Sequence, residues 1–188
     1  MFSTPAVADR TVYVGSEDYH LYAVDADSGE EVWTFETGGR IDSSPAVAGD
    51  TVYVGSGDHT LYAVDATTGE RDWTFQTGDW VWAMPAIAGD TVYATSLDHT
   101  LYACDAVTGE QQWRFRTGDE VFSSPAVVDG TVYVGSRDHS LFAVDAQTGE
   151  QTWSSDVVEG MFYAPRVVDG TIYTGGGWDS KVYAITDA

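Results

Sequence analysis

Cysteine is almost missing from this chain: Cys104 stands alone among 188 residues. A single thiol closes no internal disulfide, and there is no cysteine spacing that would attach a haem or hold a structural zinc. Lysine is equally scarce, with Lys181 the only one, and 8 basic residues face 30 acidic ones for a net charge of -22. A surface of that sign repels phosphate backbones and anionic lipid heads, which argues against nucleic-acid partners and membrane surfaces. No apolar run approaches the roughly 20 residues needed to cross a bilayer. The opening Met1-Phe2-Ser3-Thr4-Pro5 has neither the basic nor the apolar stretch of a signal peptide, so none is expected here, and the compartment stays open. Sustained helical periodicity is missing as well.

What is present is a globular composition, 43% hydrophobic and 13% aromatic. The acids are spread evenly along the chain. That distribution suits adaptation to high salt, where screening removes the self-repulsion of so much like charge; recruitment of cationic partners is the alternative. Cys104 stands where other segments carry Val24, Val64 and Val144, which predicts a small buried apolar side chain.

The organising feature is an internal repeat. Proline falls at Pro5, Pro45, Pro85, Pro125 and Pro165, and tryptophan at Trp33, Trp73, Trp113 and Trp153, both with a spacing of 40. The one slip is late: Val182-Tyr183-Ala184-Ile185 lies one residue beyond the register of Leu141-Phe142-Ala143-Val144. Within a repeat the pattern has period 2, broken at turn residues. Ser43 to Ala48 predicts a first strand, Thr51 to Gly55 a second, Leu61 to Val64 a third and Asp72 to Phe75 a fourth. Gly49-Asp50, Ser56-Gly57-Asp58-His59 and Asp65 to Gly69 supply the turns between them.

Four short antiparallel strands in about 40 residues make one propeller blade. The expected fold is therefore all-β, a single propeller over 1–188 with blades near 3–37, 43–77, 83–117, 123–155 and 163–188. Proline, lacking a donor, suits the strand beside the central channel. Gly29, Gly69, Gly109 and Gly149 suit the positive φ of the last hairpin. Trp33, Trp73, Trp113 and Trp153 are bulky enough to fill the wedge between blades. Four blades are complete and the fifth lacks a fourth strand, leaving an exposed edge. A five-bladed ring with a weak seam, part of a ring of seven or eight, and self-association that completes the ring all fit this count, and an incomplete ring fits it best.

The stretch Leu61-Tyr62-Ala63-Val64-Asp65-Ala66-Thr67-Thr68-Gly69-Glu70-Arg71-Asp72-Trp73 resembles the tryptophan-docking motif of pyrroloquinoline-quinone (PQQ) type repeats. It recurs at Leu21 to Trp33, Leu101 to Trp113 and Leu141 to Trp153. The pairs that mark WD propellers do not recur. The resemblance implies the fold more firmly than the function. Such proteins include quinoprotein alcohol and glucose dehydrogenases, lipoproteins that scaffold outer-membrane protein assembly, and sensor domains attached to kinases, and the family leans to extracytoplasmic compartments.

Because the repeats are near copies, positions that differ are candidates for work other than folding. Most lie in the connectors between blades: Gly39-Arg40-Ile41-Asp42, Asp79-Trp80-Val81-Trp82, Asp119-Glu120-Val121-Phe122 and Glu159-Gly160-Met161-Phe162. Connectors of this kind converge on the mouth of a propeller channel. Trp80, Trp82, Met84, Phe122, Phe162 and Tyr163 are expected to line an aromatic funnel there, with Arg40, Asp42 and Glu120 as polar handles for a protein or small-molecule ligand. The competing reading is that they plug the channel or fill the gap between blades.

No catalytic residue is expected. His59, His99 and His139 occupy equivalent turns a blade's width apart, too far for bonds of about 2 Å to one metal ion. Asp25 to Glu30 lacks the ligands of a calcium loop, and Gly175-Gly176-Gly177 precedes no helix. Under the resemblance, a quinoprotein dehydrogenase would bring PQQ, calcium and an adjacent cysteine pair, and that pair is not in the sequence. The expectation is a non-catalytic scaffold or ligand-binding module without cofactor. A PQQ- and calcium-dependent dehydrogenase or a fragment of one, and a purely structural repeat protein, are the alternatives.

Overall fold

The computed structural model describes residues 3–156, 164–175 and 181–186. Every described element is a strand, and the strands form five antiparallel sheets, each a meander in chain order. Blade 1 holds β1 (Ala6–Ala8), β2 (Thr11–Gly15), β3 (His20–Asp25) and β4 (Glu31–Glu36). Blade 2 holds β5 (Ala46–Ala48), β6 (Thr51–Gly55), β7 (Thr60–Asp65) and β8 (Arg71–Gln76). Blade 3 holds β9 (Ala86–Ala88), β10 (Thr91–Ser96), β11 (Thr100–Asp105) and β12 (Gln111–Arg116). Blade 4 holds β13 (Ala126–Val128), β14 (Thr131–Gly135), β15 (Ser140–Asp145) and β16 (Gln151–Asp156). Blade 5 holds β17 (Arg166–Val168), β18 (Thr171–Gly175) and β19 (Val182–Thr186). The chain is an all-β propeller.

The first strand is shorter than the sequence suggests. It starts at Ala46 rather than Ser43, because Pro45 has no N–H to give and the ladder with β6 begins at the Ala46–Tyr53 pair. The first strands β1, β5, β9, β13 and β17 neighbour one another in that order and form the inner wall. The late slip in sequence leaves the pairing intact: Val182 faces Gly175 as Leu141 faces Gly135, so the extra residue falls between β18 and β19 in sequence.

The apolar cores lie between blades, not within them. Leu21, Ala23 and Trp33 of blade 1 join Val52, Val54 and Val64 of blade 2. The next cluster joins Leu61, Ala63 and Trp73 to Val92 and Ala94, and a third joins Leu101 and Trp113 to Val132, Val134 and Val144. The last is small, built on Leu141 and Ile172. Alternation makes this possible, since each sheet sends every second side chain towards one neighbour.

At three junctions one carbonyl receives two aromatic donors. Trp33 Nε1 and Tyr13 Oη donate to Ala66 O at 3.0 and 3.1 Å. Trp73 and Tyr53 do the same to Ala106 O, and Trp113 and Tyr93 to Ala146 O. Each indole also rests on the hairpin glycine of the next blade: a Cβ on Gly69 would come within 2.7 Å of Trp33. Trp33, Trp73 and Trp113 are buried, while Trp153 is half-buried beside the smallest cluster.

Cys104 is fully buried on β11, and burial pushes its thiol up to about 12. Only the thiolate reacts, so native protein at pH 8 should resist alkylation by iodoacetamide and react once denaturant unfolds blade 3. Rapid labelling without denaturant, read by mass spectrometry, would show that this core opens readily.

Candidate functional site

The antiparallel order places two kinds of loop on one face. The turns between second and third strands and the blade-to-blade connectors lie at the same end of the sheets, where the connectors lead into the inner strands. Aspartates staple the two sets together. Asp58 Oδ2 accepts from Gly38 N at 2.6 Å, and Asp98 and Asp138 accept from Gly78 N and Gly118 N at 2.7 Å. Tyr62 and Tyr102 donate to the same carboxylates, at 2.6 and 2.7 Å. Burial first, and then Asp98, push the Tyr102 hydroxyl up to about 12, so it stays a donor.

The histidines belong to these turns. His59, His99 and His139 sit at φ near +72 (72, 72 and 71), and Tyr19 holds that place in blade 1 at φ 77. In the turns of His59 and His139 the preceding carboxylate, Asp58 or Asp138, caps the following backbone N–H, whereas Asp98 Oδ1 beside His99 is buried without a partner. Asp25 is likewise a hairpin cap: its Oδ1 accepts from the N–H groups of Asp27 and Ser28, and the bonds from the Ser28 N–H and hydroxyl hold its carboxyl below the usual range. Asp65, Asp105 and Asp145 repeat the arrangement.

On this stapled face the candidate residues fall into two groups. Arg40 Nη2 lies 3.1 Å from Asp42 Oδ1 and 3.3 Å from Glu17 Oε2. The Asp42 side chain is only 3% exposed and that of Arg40 is 37% exposed. Trp80 and Trp82 stack with planes 8° apart and centroids 6.2 Å apart. Trp82 meets Phe122 edge-on at 6.0 Å, and the Arg137 guanidinium sits 5.6 Å from the Phe122 centroid while pairing with Glu120. Met84 lies further along the inner wall, with its N–H on Ser124 Oγ at 3.1 Å. Phe162 and Tyr163 lie outside the described residues.

The two groups are neighbours. Gly57 donates to Arg40 O at 2.8 Å, and a Cβ on it would lie 3.6 Å from Trp80 Cε2. Ser43 Oγ donates to Ala83 O at 2.9 Å, tying the residue after Asp42 to the residue after Trp82. Glu17, Gly57 and Arg137 belong to the site although the connectors alone did not reveal them. They are equivalent positions in an otherwise constant turn, Glu17, Gly57, Leu97 and Arg137, and their divergence is the signal that would have found them.

Concavity lies elsewhere. A cavity of about 270 Å³ follows the inner wall past Met84, Ser124, Pro125 and Arg166. A cavity of about 610 Å³ opens on the opposite face between blades 2 and 3 beside Gly49, Gly89 and Val107. A smaller copy, about 250 Å³, lies between blades 1 and 2. The last two occupy equivalent places in successive junctions. Among the described residues no group of His, Cys, Asp and Glu is placed to hold a metal ion. The described residues of the face carrying Arg40, Trp80 and Glu120 form a patterned surface of aromatic and charged side chains.

Three comparisons bear on identity. No curated protein matches the sequence. Among solved structures, BamB from Moraxella catarrhalis superposes with a TM-score of 0.81 at 23% identity, covering 92% of this chain and 54% of that one. The computationally designed Ika8 protein superposes at 0.83 with 18% identity, covering 97% of this chain and 57% of that one. The chain therefore spans little more than half the length of either. The family model described as outer membrane protein assembly factor BamB matches residues 2–84 and 78–187, so the chain belongs to that PQQ-like repeat family.

Proposed function

We propose that this propeller is a non-catalytic protein-interaction scaffold that works through the channel-mouth loops, in an acidic protein adapted to high salt. The observation that carries the reading is the cluster of Arg40, Asp42, Trp80, Trp82, Glu120 and Phe122 on one stapled face of near-identical blades. Stacked indoles and arginines are the side chains that dominate protein interfaces, and the rigid sheets beneath hold them in register at little entropic cost. Membership in the BamB family supports an assembly partner over a substrate. The proposal includes no cofactor: the cysteine pair that would stack on a quinone has no counterpart beside Cys104.

The test compares proteins retained by the immobilised chain at molar salt with those retained by Trp80→Ala and Arg40→Ala. Both variants should keep the sheet circular dichroism and lose at least about tenfold in affinity, the loss typical of a central interface residue. If both bind every retained partner normally, the mouth reading fails. Titration with PQQ and Ca²⁺ should give no visible-band shift and no dye reduction with an alcohol or sugar.

A further inference from the structure

One position of the mouth breaks the pattern of its repeat. Where blades 3 and 4 begin with Trp82 and Phe122, blade 2 has Asp42, 6% exposed overall. Its Oδ1 takes Arg40 Nη2, but Oδ2 is buried with no hydrogen-bond partner, and so is Arg40 Nε. A carboxylate withdrawn from water with one oxygen unmet is costly, and an apolar side chain at this place would avoid the cost, as it does at Phe122. The arrangement makes sense when a donor arrives from outside.

The surroundings say which kind. Arg40 Nη2 lies within reach of both Asp42 and Glu17. The stacked Trp80 and Trp82 stand beside it across Gly57 and the Ser43–Ala83 bond, and indole faces attract cations. A carboxylate lacking a donor next to aromatic faces suits a positive group and repels an anionic one.

We propose that the mouth over blades 2 and 3 takes a cationic side chain of a partner protein, a guanidinium or an ammonium, with Asp42 Oδ2 as its acceptor and Trp80–Trp82 as its wall. Arg40 holds Oδ1 and so fixes the carboxylate in place for the ligand. The proposal rests on the mouth being the binding face.

Acetyl-arginine amide is the probe, with acetyl-glutamine amide as the neutral control, titrated by calorimetry into the full chain at fixed ionic strength. The wild type should bind the arginine probe and not the glutamine one. Asp42→Asn and Asp42→Phe should weaken binding at least about tenfold, as expected for a lost charged hydrogen bond. Asp42→Phe installs the residue of an equivalent position and should fold with an unfolding midpoint no lower than wild type. Glu110→Gln, an exposed acid on the opposite face, should leave binding unchanged. Equal affinity in Asp42→Asn, equal loss in Glu110→Gln, or no binding by the wild type overturns the cation site. Partner capture by Asp42→Asn separates the two readings. Normal capture by it alongside loss in Trp80→Ala leaves the mouth standing and removes the cation; normal capture by both removes the mouth.

Discussion

Trp73→Ala should lower the stability of the propeller by about 3–5 kcal/mol, the range for a buried aromatic truncated to alanine. The indole is 8% exposed and belongs to the cluster joining Leu61 and Ala63 to Val92 and Ala94. Truncation opens a void where two blades meet and removes the donor to Ala106 O, leaving Tyr53 alone on that carbonyl. Neither blade can collapse into the space, because each is held at its inner strand and through the Gly78–Asp98 staple. Trp153→Ala is the internal comparison. That indole is half-buried, and among the described residues its cluster has two fully buried members, so its loss should cost markedly less. Urea unfolding of both variants in molar salt measures the difference. Equal losses would mean that the junctions do not carry the stability assigned to them.

The second large effect is expected from Gly69→Ala, with Gly29→Ala as its control. Both glycines hold φ 73, so alanine at either meets the same left-handed backbone penalty, roughly 1–2 kcal/mol. Their surroundings differ. A Cβ on Gly69 would stand 2.7 Å from Trp33 Cδ2 and 2.8 Å from its Cγ, whereas one on Gly29 would meet nothing within 4 Å. The Trp33 ring is fixed by its own bond to Ala66 O and cannot retreat, so overpacking adds about 1–3 kcal/mol at Gly69 alone. Subtracting the two measured losses isolates the clash from the strain. Two equal losses would show that the indole is not seated on the glycine as described.

Much of this architecture is legible in the chain because every blade states it again. The alternation in Thr51 to Gly55 and in Leu61 to Val64 marks the sheet faces, and the observed strands differ from that pattern by a residue or so at their ends. The first strand was the harder case. Ser43 and Ser44 continue the alternation of Ala46 to Ala48 well enough, but pairing depends on donors, and Pro45 withholds one. The candidate site was legible only by contrast between repeats. Divergent connectors pointed to Arg40, Trp80 and Glu120, while the partners Glu17, Gly57 and Arg137 come from a different turn, separated from them by 17 to 23 residues. A linear spacing does not show which turn a connector crosses. The pairing of Arg137 with Glu120, and the sharing of Arg40 by two acids, arise from how adjacent blades are set side by side.

The sequence by itself determined the unit: four short strands, their turns, and an indole every 40 residues. It could do so because strand period and turn chemistry are local, and repetition separates them from chance. Only the tertiary structure decided what each unit touches: that the indole of one blade rests on the glycine and carbonyl of the next, and that Asp42 is buried against Arg40 with one oxygen unmet. Those facts depend on the spacing and tilt between sheets, which come from many side chains packing at once and from no single stretch of the chain.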